Sequence, residues 1–275
     1  MSFAKEASTR LYSTQRGAHK IGGLRGRLLS PTREPELGNA SGGIGMNNKE
    51  AHALIVIGGD QPDSRALSHI PNNATVICAD SGIDHALSLG LTPHVFLGDM
   101  DSVSQSALAS SQHESWTVIS YDPLKDQTDT ELALQYASNR GFRNITLLWG
   151  SGDRIDHVLG VLAALSHESL SSVQNLVAWI GADRVQILHG PRTHNDQVLV
   201  GTTVSLMPLG PSVTGVSTNG LQWNLDREIL AAQSSRGVSN IANQTNINID
   251  IETGVLAVVY PGFLSNSLHE AGQRS

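Results

Sequence analysis

Short runs of consecutive apolar residues alternate with segments of helical spacing through the first two thirds of the chain. The apolar runs predict strands at residues 53–57, 74–79, 94–97, 116–119, 145–149 and 176–180. The segments between them predict helices at residues 83–89, 104–111, 128–140 and 155–165. Because fully apolar strands must be covered on both faces, this order predicts a parallel sheet with helices on each side.

The pattern changes after about residue 184, where helical spacing ends. Short strand candidates follow at residues 185–188, 197–200, 203–207 and 214–217. Residues 246–251 alternate polar and apolar, and 255–259 return after the turn Glu252–Gly254, which predicts a hairpin. Short strands separated by Gly and Pro predict a small β-sandwich or barrel.

These patterns together predict an α/β fold with two domains and two tails. We expect a parallel-sheet domain at residues 47–185, a β-sandwich domain at 186–262 and a frayed tail at 263–275. Residues 1–46 are rich in Ser, Gly and Arg and lack apolar periodicity, which predicts a disordered N-terminal extension. An excess of Lys and Arg there leaves an organellar transit peptide open as an alternative.

Composition narrows the classes of partner. A net charge of −7 argues against general nucleic-acid or membrane-surface binding, although a local cationic pocket for phosphate remains compatible. Cys78 is the single cysteine and lies within an apolar run, so we expect it to be buried in a reducing, cytoplasmic protein. No segment approaches the roughly 18 apolar residues that a membrane span requires.

Four polar or glycine-rich turns directly follow predicted strands: Gly58–Asp60, Asp80–Gly82, Gly98–Ser102 and Gly150–Gly152. Because the carboxyl ends of parallel strands share one edge, we expect these turns to lie together. In the third turn, Asp99 and Asp101 are separated by one residue, and Mg²⁺ commonly takes one or two carboxylates plus water and phosphate. A capped strand-to-helix turn is the simpler alternative for that segment alone. The four turns together predict a phosphate-and-metal site.

Another acidic motif, Lys125–Glu131, begins a predicted helix. Thr128 and Glu131 have the spacing of a capping box. Asp126 and Asp129 are therefore either site carboxylates or partners of the helix dipole.

The segment Gly150–His157 enters the next helix from a strand end. A glycine-rich turn, Arg154 and a helix N-terminus are the parts that hold a phosphate chain, and Asp156 lies beside them. His157 is equally compatible with a packed residue in the first helical turn.

Taken in order, these motifs resemble the thiamin pyrophosphokinase family. The resemblance is carried by Ala79–Gly82, Pro93–Ser102, Lys125–Leu134, Gly152–His157, Ser205–Gly210, Gly215–Leu225 and Gly237–Asn240. It spans residues 54–260. It implies a Rossmann-like nucleotide-binding domain that uses ATP and Mg²⁺, followed by a thiamine-binding β-sandwich. The implied reaction is thiamine diphosphokinase activity, in which pyrophosphate moves from ATP to thiamine and AMP is released.

The resemblance also implies roles for individual residues on the nucleotide side. Asp99, Asp101 and Asp129 are expected to be catalytic and to hold Mg²⁺ with the phosphates, and either Asp101 or Asp129 is expected to accept the hydroxyl proton. The remaining nucleotide-side residues are Asp80, Asp126, Thr128, Arg154, Asp156 and His157.

On the thiamine side, Trp223, Ser239 and Asn240 are expected to bind the substrate. Trp223 would stack on the cationic ring, and Ser239 would contact the pyrimidine. A core tryptophan of the sandwich is the alternative for Trp223. Members of the family are homodimers with the active site shared between subunits, so Trp223 is expected to serve the partner's nucleotide.

Two positions depart from the family's pattern, because Ser81 and Asp153 stand where glycine is usual. Asp153 adds negative charge beside Arg154, which would weaken phosphate binding or contribute a metal ligand. Two other functions remain open: a related pyrophosphokinase acting on a hydroxymethyl-dihydropterin, and a non-catalytic thiamine or nucleotide sensor. The dihydropterin enzyme has no reason to keep Trp223 and Ser239, and a sensor would be expected to lose a site carboxylate.

Overall fold

A computed structural model describes residues 51–98, 116–121, 126–152 and 154–266. Asp99, Asp101, Asp153, the predicted extension 1–46 and the predicted helix 104–111 lie outside these ranges. None of the helices within them is long and apolar enough to cross a membrane.

The described strands and helices follow the predicted order closely. The strands are β1 His52–Ile57, β2 Thr75–Ala79, β3 Val95–Leu97, β4 Thr117–Ile119, β5 Asn144–Trp149, β6 Asn175–Ile180, β7 Asp183–His189, β8 Arg192–Gln197, β9 Thr203–Pro208, β10 Ser212–Asn219, β11 Glu228–Ala231, β12 Asn240–Ile241, β13 Asn246–Ile251 and β14 Val255–Tyr260. The α-helices are α1 Gly82–Ser88, α2 Asp129–Asn139, α3 Ile155–Leu165 and α4 Phe263–Asn266. Short 3₁₀ helices lie at Ser64–His69 and Glu168–Leu170.

Parallel strands form one part of a ten-stranded sheet, in the order β6-β5-β1-β2-β3-β4. Successive residues of β1 enter different hydrophobic clusters, Ile55 with Ala133 of α2 and Val56 with Ile83 of α1. Both faces of the central strand are therefore covered, which confirms the predicted parallel-sheet fold.

The same sheet continues beyond its parallel part. β7 pairs antiparallel with β6, and β14, β9 and β12 follow in turn. A second, antiparallel sheet in the order β11-β10-β13-β8 encloses a hydrophobic core with this extension, including Leu206, Val216, Ile249 and Val258. This arrangement confirms the predicted β-sandwich and shows that one of its layers belongs to the ten-stranded sheet. The predicted domain limits stay a prediction, since β7 extends across position 185.

The hairpin predicted at residues 246–251 and 255–259 is wrong in its pairing. Both strands exist, but β13 pairs with β10 and β8, whereas β14 pairs with β7 and β9. The turn Glu252–Gly254 therefore connects the two sheets. Alternating polarity identifies the buried face of a strand but not its partner, and Ile249 and Val258 reach the same core from opposite layers.

A second correction concerns the strand predicted at residues 197–200. The strand is β8 instead, and it ends at Gln197, while Leu199 and Val200 lie exposed in the following turn. β8 is an edge strand that exposes Thr193 and Asn195, so it carries no apolar run to reveal it.

The prediction of a frayed tail at residues 263–275 is wrong for its first four residues, and the rest of that segment lies outside the described residues. Phe263–Asn266 form α4, in which Leu264 is buried and the Phe263 ring lies 5.7 Å from that of Trp179. The guanidinium of Arg184 lies 4.9 Å from the centre of the same Phe263 ring. Apolar and cation–π contacts therefore hold the start of the segment against the sheet.

Candidate active site

The carboxyl ends of the parallel strands come together as the sequence pattern predicted. The Asp60 N–H donates to the Ser151 carbonyl at 3.0 Å, joining the turns after β1 and β5. The Asp80 N–H donates to Leu97 O at 2.9 Å, and the Gly98 N–H donates to Ile119 O at 3.3 Å. Backbone hydrogen bonds thus connect the turns along one edge of the sheet.

Close approach between backbones explains the glycine that begins α1. A Cβ on Gly82 would collide with the carbonyl oxygen of Val56 and lie 2.7 Å from the Cα of Ile57. Ser81, one of the departures from the family's pattern, places its hydroxyl where a side chain on Gly58 would lie. The Ser81 side chain therefore lies between the first two turns, in the space that the missing side chain of Gly58 leaves open.

Asp80 has a positive φ of 51°, in the left-handed region that residues other than glycine seldom adopt. It lies directly beside Gly98, because a Cβ on Gly98 would be 3.3 Å from the Asp80 Cα. The structure therefore brings Asp80 to the residue that precedes Asp99. Such backbone conformations are often found at functional sites, where the surrounding structure maintains them.

The N-terminus of α2 presents Asp129 near the same edge. Thr128 caps the helix, accepting a hydrogen bond from the Glu131 N–H at 3.2 Å, which confirms the Thr128 half of the predicted capping box. The Glu131 carboxylate accepts hydrogen bonds from the side chains of Gln127 and Gln135. Burial raises the pKa of the Tyr121 hydroxyl, and nearby Tyr136 and the negative charge of Asp129 raise it further. Tyr121 follows β4 and packs against the hydrophobic cluster that contains Ala133 of α2, so this helix lies against the end of that strand.

The start of α3 is open to solvent. The Arg154 guanidinium pairs with the Asp156 carboxylate at 2.5 Å, and this partner holds the pKa of Asp156 below its usual value. His157 is exposed, so the alternative of a packed first-turn histidine is wrong. A phosphate that approaches Arg154 would have to compete with Asp156 for the guanidinium. Asp126, before α2, is exposed as well.

The thiamine-side residues cluster at the far end of the sandwich. Trp223 is 56% exposed in the loop between β10 and β11, which excludes the alternative of a core tryptophan. Ser239 is exposed, with a positive φ of 60°. Asn240 is buried, and its amide hydrogen-bonds to the backbone of Trp223, so its side chain supports the loop beneath the surface.

Two groups of predicted site residues are therefore far apart in one chain. Asn240 begins β12, which is the outermost strand on one side of the ten-stranded sheet. The acidic turns follow β2 and β3, near the other side. Seven strand spacings separate β12 from β2, which Asp80 directly follows. At about 4.8 Å each, they amount to roughly 34 Å. Within the described residues, the acidic turns and Trp223 do not meet in one protomer.

Several residues that contact the predicted site residues or their turns were not predicted from the sequence. The His85 ring reaches back from α1 to the Gly59 carbonyl at 2.9 Å and to Gln61 Oε1 at 3.0 Å. Tyr121, whose pKa is raised by burial and further by the charge of Asp129, was not singled out either, and Ser205 behind Ser239 was named only as the first residue of the motif Ser205–Gly210. Each is an isolated polar residue within or after an ordinary element, so no spacing marks it.

A covered parallel sheet with glycine-rich and acidic turns at one edge defines an α/β protein of the nucleotide-binding type, here joined to a β-sandwich with an exposed indole. The family model described as "Thiamin pyrophosphokinase, catalytic domain" matches residues 67–177. The model described as "Thiamin pyrophosphokinase, vitamin B1 binding domain" matches residues 187–256. Together they match more than half of the chain, which therefore belongs to the thiamin pyrophosphokinase family.

Individual relatives agree with this assignment at low identity. Thiamine pyrophosphokinase 1 of Oryza sativa subsp. japonica is 23% identical over 175 residues, covering 60% of this chain and 64% of that protein. The match thus spans less than two thirds of that relative's length. The solved thiamine pyrophosphokinase of Bacillus subtilis has a TM-score of 0.67 at 20% identity, covering 76% of this chain and 98% of that one. The yeast enzyme has a TM-score of 0.58 at 17% identity, covering 76% and 86%. These structures establish a shared fold.

Proposed function

We propose that this protein is a thiamine diphosphokinase, which transfers the pyrophosphoryl group of ATP to thiamine. The thiamine hydroxyl oxygen attacks the β-phosphorus, and the bond from that phosphorus to the α–β bridging oxygen breaks. The hydroxyl proton is released, and the products are thiamine diphosphate and AMP. The observation that carries this proposal is the succession of catalytic and vitamin B1 binding family models along one chain.

On the nucleotide side, Asp99, Asp101 and Asp129 would hold Mg²⁺ together with the ATP phosphates, with Asp80 and Asp126 nearby. Their carboxylate oxygens fit this hard cation, which needs only one or two carboxylates when phosphate and water complete its shell. The described part of the chain contains no group of three His, Cys, Asp or Glu suited to a metal, so the proposed site depends on Asp99 and Asp101. When bound, the ion polarises the phosphoryl oxygens and offsets developing negative charge.

Proton removal and phosphate binding fall to residues around this edge. Either Asp101 or Asp129 accepts the proton of the thiamine hydroxyl. The Arg154 guanidinium exchanges its pairing with Asp156 for a phosphate oxygen, since both side chains are exposed to solvent, where a phosphate can reach the guanidinium. Thr128 keeps the N-terminus of α2 formed, and His157 adds a polar contact at the start of α3.

On the thiamine side, the exposed face of Trp223 stacks on the cationic thiazolium. Such a contact contributes about 0.5–2 kcal/mol, depending on how far water is excluded. The Ser239 hydroxyl contacts the pyrimidine. The exposure of both residues supports this assignment, because each side chain is available to a ligand.

The separation of these two groups supports a homodimer in which each active site is shared. Roughly 34 Å along the sheet divides the acidic turns from β12, a distance far longer than thiamine can span. A partner subunit would bring its own Trp223 to the nucleotide edge. Sedimentation equilibrium should give twice the 29.2 kDa of one chain, and a monomer that remains fully active would contradict the shared site.

A cytoplasmic location forms part of the same proposal. Cys78 is fully buried, and burial raises the pKa of its thiol to about 12. A free thiol kept protonated in the core is compatible with a reducing compartment.

The decisive experiment incubates the purified chain with ATP, Mg²⁺ and thiamine and identifies the products by mass spectrometry. We expect AMP and thiamine diphosphate in equal amounts, and no transfer to 6-hydroxymethyl-dihydropterin in a parallel reaction. Formation of ADP would contradict pyrophosphoryl transfer. Turnover with the pterin alone would favour the related pyrophosphokinase, and tight thiamine binding without turnover would indicate a sensor.

A further inference from the structure

A buried carboxamide lies directly beneath the exposed tryptophan. Asn240 is only 5% exposed, yet it follows the exposed residue Ser239. Its Nδ2 donates to the Trp223 carbonyl at 2.8 Å, and its Oδ1 accepts from the Trp223 N–H at 3.1 Å. One side chain thus binds both backbone groups of the residue proposed to stack on thiamine.

The orientation of this amide follows from its partners. The N–H groups of Trp223 and Ile241 both point to Oδ1, the latter at 2.9 Å, so the oxygen must face them. The remaining NH₂ group then faces the Trp223 carbonyl. Since a buried polar atom without a partner costs about 1–3 kcal/mol, this arrangement disfavours other loop conformations.

Neighbouring contacts extend the support to Ser239. Its N–H donates to the hydroxyl of buried Ser205 at 3.0 Å, and this bond accompanies the left-handed backbone of Ser239. The Gln222 N–H also donates to the Ile241 carbonyl at 2.8 Å. The Trp223 loop and the Ser239 segment are therefore joined on both sides of Asn240.

We infer that Asn240 is a positioning residue. It does not bind thiamine itself, but it holds the Trp223 loop in the conformation that binds thiamine and keeps Trp223 in a fixed position relative to Ser239. The thiamine part of this inference depends on the function proposed above. Its physical basis is that more than half of the Trp223 side chain is exposed, so packing of the indole does little to fix this residue, and its backbone is held by the two hydrogen bonds to Asn240. Restraint before binding reduces the entropy lost when the ring is stacked.

A first test measures the loop without any reaction. The chain is labelled with 5-fluorotryptophan, and Trp223→Phe identifies the Trp223 signal in the ¹⁹F NMR spectrum. Asn240→Asp keeps the acceptor and removes the donor, so we expect the Trp223 signal to shift or broaden. The matched control is Asn243→Asp, because Asn243 Nδ2 donates to Leu221 O at 3.1 Å in the same loop. An unchanged Trp223 signal in Asn240→Asp, or an equal change in the control, would overturn the inference.

A second test uses a double-mutant cycle on the full-length enzyme. We expect Asn240→Asp to raise the thiamine KM about tenfold with kcat within about twofold, and to change KM less than about twofold when Trp223 is already alanine. Asn240→Ala, checked for folding by circular dichroism, should behave in the same way. Equal effects in both backgrounds would contradict action through Trp223. Absence of any thiamine turnover in the wild type would refute the proposed function instead, and the NMR result would still decide the role of Asn240.

Discussion

The parallel and antiparallel parts of the ten-stranded sheet position the predicted site residues by different means. In the parallel part every strand ends at the same edge, so topology alone collects the turns, and hydrogen bonds such as that from Asp60 N–H to Ser151 O link them. In the antiparallel part successive strands end at opposite edges. There, buried polar side chains such as Asn240 and Ser205 hold the exposed residues in place.

This difference predicts different sensitivities to mutation. On the parallel side, a substitution of a functional carboxylate should change the chemistry while the backbone remains in place. On the antiparallel side, the loss of a buried polar group should act through the geometry or stability of the sandwich. The largest effects on activity and the largest effects on stability are therefore expected in different halves.

The strongest expected effect is on turnover at the parallel edge. Asp101→Asn and Asp129→Asn should each lower kcat at least about a hundredfold, because each removes a proposed metal ligand or proton acceptor. Steady-state assays of AMP formation measure this change, and thermal melting should show little loss of stability.

The matched control is Glu168→Gln. Glu168 is exposed and begins the 3₁₀ helix that follows α3. Because α3 starts near the carboxyl end of β5 and runs away from it, Glu168 lies far from the carboxyl ends of the strands. Its kcat should stay within about twofold of the wild type. Comparable losses in all three variants would show that negative charge in general, and not the shared edge, sustains activity.

The next largest effect tests whether buried polar groups stabilise the antiparallel part. Asp196 on β8 pairs with Arg184 on β7 and so joins the two layers of the sandwich. Burial alone would raise the pKa of Asp196, but the His194 ring, whose Nε2 lies 3.5 Å from Asp196 Oδ2, and the charge of Arg184 lower it overall. Asp196→Asn should reduce the free energy of unfolding by about 3 kcal/mol at pH 7, because the charge of Arg184 then lacks its partner.

The pH dependence of this penalty follows from the direction of the pKa shift. A carboxyl with a lowered native pKa stabilises the fold above its unfolded value of about 3.9, and this contribution is lost as pH falls through the native pKa. The difference between wild type and Asp196→Asn should therefore shrink below about pH 4 in urea titrations. Asp250→Asn, on the outer face of the same sheet, should show neither effect, and a constant difference at all pH values would exclude the ion pair as the cause.

A smaller effect tests the close packing of the parallel part. Gly82→Ala should destabilise the fold by about 2 kcal/mol, since the new methyl group would meet the backbone of Val56 and Ile57. Gly160→Ala within α3 is the matched control, because no atom lies within 4 Å of the added Cβ. It should stabilise the protein by about 0.5–1 kcal/mol. Equal shifts of the two melting temperatures would show that the close contact between Gly82 and the backbone of β1 does not determine which residue is tolerated at position 82.

How far the sequence predicts the molecule also differs between the halves. Apolar runs located the parallel strands to within a residue or two, because most residues of β1, β2, β3 and β5 are buried and therefore apolar. The turns at their carboxyl ends could then be grouped by topology alone. Asp99 and Asp101 belong to this prediction, and they lie outside the described residues.

In the sandwich, local pattern defined most strands but not their partners. The alternation at residues 246–251 is real, yet β13 and β14 enter different sheets, because polarity records only which face is buried. The polar edge strand β8 had no apolar run to mark it. The separation of Trp223 from the acidic turns, and the support of its loop by Asn240, depend on long-range pairing that no local pattern encodes.

The smallest effect separates ligand binding from chemistry on the antiparallel side. Trp223→Ala should raise the thiamine KM about five- to twentyfold with little change in kcat, as expected for a cation–π contact of about 1–2 kcal/mol. Trp223→Phe keeps an aromatic face and should give an intermediate KM. Because Trp223 is largely exposed, neither variant should shift the melting temperature noticeably. An unchanged KM in Trp223→Ala would remove this residue from the thiamine site. A loss of kcat equal to that of Asp101→Asn would mean that the indole aligns the reacting groups. In that case the parallel and antiparallel parts of the sheet would not divide chemistry from binding.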